Sequence, residues 1–154
     1  MIKRYGIIGC GMMGQEHLRN INLINDAIAY AIYEPNINMQ KMAKKLAPEA
    51  RFYDSLDKIL SDENIDCWLI VSPNHFHMDQ LEQLAGIPHR PILVEKPLFT
   101  EIKHLERIKN FSIKYSAPVW VAMEYRYMPP IAELIKRQNN VTGDTKMLSI
   151  REHR

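Results

Sequence analysis

Cysteine is scarce in this chain of 154 residues: there are two, Cys10 and Cys67, too few and too far apart for a zinc pattern. Both fall beside or within apolar segments, where a reduced thiol packs as a small hydrophobe. Cys10 is the more interesting of the two, because a helix N-terminus lowers the pKa of a thiol placed there. No apolar run reaches the roughly 18 residues of a membrane span, and the N-terminus has no basic-then-apolar signal segment. No membrane partner is expected, and the cytoplasm is the default location. A basic block is missing as well. Lys plus Arg number 20 against 18 Asp plus Glu, scattered along the chain, so nucleic acid is not expected as a partner. Internal repeats and low-complexity segments are absent. What is present is ordinary: 46% hydrophobic and 25% charged residues in the length of one domain, enough to bury a real core.

Glycine is also sparse, with six residues, and the opening is where it carries meaning. Tyr5-Gly6-Ile7-Ile8 is an apolar run that feeds into Gly9-Cys10-Gly11-Met12-Met13-Gly14, a G-x-G-x-x-G spacing. It reads as a strand over about Lys3–Ile8, a tight turn, and a helix over about Met12–Leu23. Gly14, Leu18 and Ile21 share one face of that helix, so the third glycine lets it lie close to a sheet. The spacing alone also fits a plain glycine-rich turn. The strand before it, the helix after it and an acid, Glu34, twenty residues beyond Gly14 supply the context expected of a dinucleotide-binding turn.

Ala27–Tyr33 is continuously apolar, as expected of a parallel strand buried on both faces. Met39, Met42, Ala43 and Leu46 have helical spacing, followed by a weak strand near Arg51–Tyr53 and a short helix that Asp54 could cap. Cys67–Val71 is another buried strand, stopped by Ser72-Pro73-Asn74. Asn74 is a plausible cap for the helix marked by Met78, Leu81 and Leu84. Pro91–Val94 is a fifth strand, Thr100 opens a long helix to about Lys114, and Pro118–Met123 is a sixth strand. A helix over about Pro130–Gln138, a turn at 139–144 and a further strand at Met147–Arg151 complete the pattern. Strand and helix alternate, so the expected architecture is α/β: a Rossmann doubly wound parallel sheet of about six strands with helices on both faces. Residues 1–145 form that domain, and 146–154 read as a linker strand into a second α/β domain that is absent. That strand would be an unpaired edge inviting association.

Ligands of open parallel sheets bind beyond the carboxyl ends of the strands, so residues there carry the functional reading. Backbone N–H groups of Gly9–Gly14, at the positive end of a helix dipole, suit a pyrophosphate. The Glu34 carboxylate suits the adenosine ribose hydroxyls and repels a 2′-phosphate, which favours NAD over NADP. Ser72-Pro73-Asn74 with His77, and Glu95-Lys96-Pro97, follow the fourth and fifth strands. An acid and a lysine side by side on a buried strand end are costly unless paired or bound to ligand, which makes Lys96 the best general acid or carbonyl polariser in the chain, although on spacing alone an exposed strand-end ion pair fits better. His75, His89 and His104 read as surface or helix residues, and no pair of histidines has metal spacing that a neighbouring acid completes.

Taken in order, Gly9-Cys10-Gly11-Met12-Met13-Gly14 with His17, Glu34, Ser72-Pro73-Asn74 with His77, Glu95-Lys96-Pro97 and Glu124-Tyr125-Arg126-Tyr127-Met128-Pro129 resemble the N-terminal half of the glucose-fructose oxidoreductase, inositol dehydrogenase and rhizopine-catabolism (Gfo/Idh/MocA) family of NAD(P)-dependent oxidoreductases. The segments span essentially the whole chain, and Glu-Lys-Pro about 80 residues after the glycine turn is far more specific than the glycines. The resemblance implies that Gly9, Cys10, Gly11, Met12, Met13 and Gly14 hold the pyrophosphate and Glu34 the ribose. It also implies that Ser72, Pro73, Asn74 and His77 line the path to the nicotinamide, that Glu95 orients that end, and that Arg126 lies near the carboxamide. Lys96 would contact the nicotinamide ribose and the reacting oxygen of the substrate. Glu124 and Tyr125 depart from the asparagine and arginine common in the family, which changes the local charge there. Family members continue into a second domain that supplies an aspartate, a histidine and often the dimer interface; His153 does not match that histidine.

The expected activity is hydride transfer between NAD and a secondary alcohol or ketone of a sugar, polyol or sugar derivative, with homo-oligomers forming through the second domain. The alternative is a truncated dinucleotide-binding module without turnover.

Overall fold

Apolar runs that do not alternate must be covered on both faces, and in the computed structural model, which describes residues 1–137, they form one sheet. Its strands are β1 (Lys3–Ile8), β2 (Ala27–Tyr33), β3 (Arg51–Tyr53), β4 (Cys67–Ile70), β5 (Ile92–Val94) and β6 (Val119–Val121), all parallel, in the order β3-β2-β1-β4-β5-β6. Between them run α1 (Met12–Ile21), α2 (Ile37–Leu46), α3 (Leu56–Leu60), α4 (His77–Leu84) and α5 (Leu105–Lys114). The order reverses between β1 and β4, which opens a crevice above the carboxyl ends of those two strands.

Neighbouring residues on a strand point to opposite faces, and the core divides accordingly. Ile8, Ala31, Ile70 and Trp68 join Met78, Leu81 and Phe111 on one side, while Ile7, Ile32 and Leu69 join Leu18, Ile21 and Ala43 on the other. Of the helical pattern Met39, Met42, Ala43 and Leu46, only Ala43 is buried, because Met39 and Met42 turn away from the sheet.

The caps differ from expectation in two places. Ser55, not Asp54, caps α3 by accepting the Lys58 N–H at 3.4 Å, and Asp54 is an exposed partner of the Lys58 ammonium. Asn74 gives no side-chain cap; it starts a single turn of 3₁₀ helix, Asn74–Phe76, that leads into α4. The helix expected from Thr100 begins at Leu105, after a 3₁₀ turn over Ile102–His104, and His104 is buried rather than superficial.

The described residues form two compact units, Met1–Ala122 and one beginning at Met123. The second contains a 3₁₀ turn, Glu124–Tyr127, and the helix α6 (Pro129–Arg137). The expected turn at 139–144, the strand at Met147–Arg151 and His153 lie outside the described residues.

One local cap matters for the site: the Asn36 side chain caps α2, accepting the N–H groups of Asn38 and Met39 at 3.0 and 3.1 Å. Asn36→Ala removes it and should lower stability by about 1 kcal/mol, a fall in Tm of roughly 2–4 °C by calorimetry.

Candidate functional site

The glycine turn is built by contacts that admit no side chain. Gly9 has φ +87°, and a Cβ there would lie 2.6 Å from the Ser72 backbone, so the turn after β1 passes directly against the turn after β4. A Cβ on Gly14 would meet the Gly9 carbonyl at 3.1 Å, which records how closely α1 approaches the sheet. Gly11 differs, since nothing stands within 4 Å of the position its Cβ would take. The open space lies at the start of α1, whose first internal bond is Gln15 N–H to the Gly11 carbonyl at 3.0 Å. The N–H groups of residues 12–14 therefore have no helix acceptor, and no acid sits in the first turn. These features fit an anion approaching the positive end of the helix.

Glu34, directly after β2, is 8% exposed. One carboxylate oxygen accepts the Cys10 N–H at 2.6 Å and the other accepts the Asn36 N–H at 2.7 Å. The acid thus joins the glycine turn to the start of α2, and a carboxylate has about four lone-pair positions, so roughly two remain for a ligand. Cys10 contributes only this N–H. Its thiol is wholly buried, and burial, then the Glu34 charge, push its pKa up to about 12. The helix terminus does not activate it, contrary to the expectation from position alone.

Above the β1/β4 switch point lies a cleft of about 630 Å³. Gly9, Gly11, Met12 and Met13 form one wall, Glu34, Pro35, Asn36 and Met39 another, and Ser72, Pro73, Phe76 and Gln80 the third. Most of the lining is apolar, as a slot for a flat ring requires, with a few polar groups to orient it. The Ser72 hydroxyl donates to Gln80 Oε1 at 2.6 Å, which fixes that edge.

Gly9, Gly11, Met12, Met13, Glu34, Ser72 and Pro73 are thus brought together, with Cys10 and Gly14 packed immediately behind them. Asn74, His77, Glu95 and Lys96 do not line this cleft. His77 is 0% exposed, with one ring nitrogen 2.9 Å from the Pro97 carbonyl oxygen and the other 3.0 Å from that of Ser72. It cannot touch a ligand where it stands, because its motif position faces inward from α4. Glu95 is also buried, and its carboxylate pairs with His17 at 2.8 Å instead of with the Lys96 ammonium, while Lys96 is exposed. Arg126 belongs to the second unit, where its guanidinium carbon stands 5.9 Å from the Tyr127 ring centre.

Sequence reading missed Asn36, Met39, Phe76 and Gln80 as lining residues and gave His17 no role. Exposed apolar side chains flanking the strand ends were the available signal for Met39 and Phe76. Helical spacing placed Met39 on a helix, and spacing does not say which face a ligand covers.

Sheet order, glycine turn and cleft define a dinucleotide-binding domain of the Rossmann type. The profile of an oxidoreductase family with an NAD-binding Rossmann fold matches residues 3–123. The inositol 2-dehydrogenase of Paracoccus denitrificans is 32% identical over 152 residues, covering 96% of this chain and 45% of that protein. The myo-inositol 2-dehydrogenase of Thermotoga maritima is 30% identical over 149 residues, with 96% and 44% covered. A solved structure of myo-inositol dehydrogenase from Lactobacillus casei with NAD(H) and myo-inositol superposes with a TM-score of 0.81 at 24% identity, over 89% of this chain and 41% of that one. The chain belongs to the Gfo/Idh/MocA oxidoreductase family and spans less than half the length of these curated relatives.

Two glycine substitutions should separate fold from binding. Gly9→Ala puts a Cβ into the Ser72 backbone at positive φ and should destabilise by roughly 2–5 kcal/mol. Gly11→Ala should leave the thermal transition within a few degrees of the parent yet weaken dinucleotide binding in a fluorescence titration.

Proposed function

We propose that this chain is the cofactor-binding part of an NAD-dependent dehydrogenase that oxidises a secondary alcohol of a polyol or sugar, or reduces the corresponding ketone. The observation that carries the reading is the buried Glu34 carboxylate at the lip of the cleft, held by two backbone N–H groups with its remaining lone pairs free to accept ribose hydroxyls. An NADP 2′-phosphate would bring roughly −1.5 to −2 charges against that carboxylate where water screens poorly, a repulsion of several kcal/mol at an effective dielectric near 20. NAD is therefore the preferred form. The relatives named for inositol oxidation support a polyol as the substrate class.

The cofactor supplies the hydride acceptor when it is bound. The N–H groups at the start of α1 would hold its pyrophosphate, and the apolar walls that include Met39 and Phe76 would shield the bound dinucleotide from water. Lys96, exposed beyond β5 with its neighbour Glu95 already paired to His17, is free to donate to the reacting oxygen and to stabilise negative charge developing there. A second reading, dinucleotide binding without turnover by these 154 residues alone, is favoured by their covering less than half of each relative.

Fluorescence titration of the purified chain should show saturable NADH binding in the micromolar range, tighter than NADPH; no saturation by folded protein, or tighter NADPH, overturns the cofactor assignment. In a chain that turns polyol over, Lys96→Ala should lower kcat at least about a hundredfold while NADH affinity stays within a few-fold. Unchanged turnover removes Lys96 from its role. Polyol turnover by the purified 154 residues alone would overturn the second reading.

A further inference from the structure

We propose that His17 and His77 are positioning residues that grip the chain on either side of Lys96 and so set where its ammonium operates; this rests on the reading of Lys96 as the group facing the reacting oxygen. The ladder that holds β5 ends early. β5 is three residues long, Ile92–Val94, and the last bond to β4 is Glu95 N–H to the Ile70 carbonyl at 2.9 Å. Beyond it the backbone has no regular structure until the 3₁₀ turn at Ile102. A lysine on a flexible four-carbon stem would wander there unless its backbone were fixed by other means.

Two histidines from different helices supply that fixing. His17, on α1 three residues after Gly14, has Nε2 2.8 Å from Glu95 Oε1, and Glu95 Oε2 accepts the Lys96 N–H at 3.2 Å. His77, the first residue of α4, stands 2.9 Å from the Pro97 carbonyl oxygen and 3.0 Å from that of Ser72. The residue before Lys96 is thereby tied to the helix that follows the glycine turn, and the residue after it to the turn that Gly9 packs against. Either neutral tautomer of His77 donates to one carbonyl, and the doubly protonated ring donates to both. Both histidines act through the chain, not on a ligand: His77 is wholly buried between two carbonyls, and His17 Nε2 is engaged by Glu95. The pair converts a loose strand end into a point at fixed distance from the pyrophosphate site, and a displacement of about 1 Å at such a point costs on the order of a hundredfold in rate.

The test is ¹⁵N relaxation on the 154-residue chain. The Lys96 amide should have an order parameter near 0.85 in the parent and below about 0.6 in His17→Ala. The amides of residues 11–14 should be unchanged, and His17→Gln, which keeps an N–H donor, should restore Lys96. His77→Ala should loosen the same amide. His77 is wholly buried and His17 partly exposed, so the His17 variants decide the matter if His77→Ala does not fold. A Lys96 amide that stays rigid in His17→Ala overturns the proposal, as does equal loosening of the glycine turn, which would make His17 a general support of the fold. Adding saturating NADH separates this proposal from the reading beneath it. The Lys96 resonances should shift in the parent, and shift less in His17→Ala at comparable NADH affinity. If they ignore NADH in the parent while still loosening in His17→Ala, the assignment of Lys96 to the reacting end falls, and the histidines remain as anchors of the loop alone.

Discussion

A carboxylate buried beside backbone N–H groups holds this site together. Glu34 accepts from Cys10 and from Asn36, so the turn after β1 and the turn after β2 are joined through one side chain. Hydrogen bonds to a charged acceptor contribute on the order of 1.5–3 kcal/mol each, which offsets part of the cost of removing the acid from water. The same geometry aims a negative charge at the cleft. Under the proposed NAD preference, the residue that stabilises the turn is also the one that discriminates between cofactors, and a change there is expected to alter both.

Gly9 performs the matching task on the other side of β1. Its left-handed backbone and the 2.6 Å approach a Cβ would make to Ser72 bring the turns after β1 and β4 into contact. With Glu34 on one flank and Ser72 on the other, the start of α1 is held from both sides, and its unpaired N–H groups point into the crevice that the reversal of strand order leaves open. The histidines extend the arrangement to β5, where the backbone ladder has run out. The ends of β1, β2, β4 and β5 are thus tied together by side chains or a close backbone contact.

Local chemistry made much of this legible. The continuous apolar runs of β2 and β4 read as strands and form strands, although Ile28 in β2 stays exposed, and the glycine spacing with an acid twenty residues on could be placed on a strand, a turn and a helix. The family resemblance added the order of the motifs. Periodicity found the helix but not the use of its faces: Met39 and Met42 are exposed, and Met39 lines the cleft. The caps failed by single positions, Ser55 for Asp54, because neighbouring polar residues compete for the same N–H groups and only the backbone path chooses between them.

From the order of its residues alone the chain determines its strands, its glycine turn, its parallel α/β architecture and the family it belongs to, since each is set by interactions within a few residues or by motifs in fixed order. Tertiary structure decided the partners. That Glu34 turns to Cys10 and Asn36, that Glu95 pairs with His17 and leaves the adjacent Lys96 exposed, that His77 is enclosed by two carbonyls and that the Cys10 thiol is held neutral all depend on which strand ends the crossovers bring side by side. Separations of 24, 78 and 20 residues lie behind these contacts. No periodicity reaches that far; only the folded sheet fixes such distances.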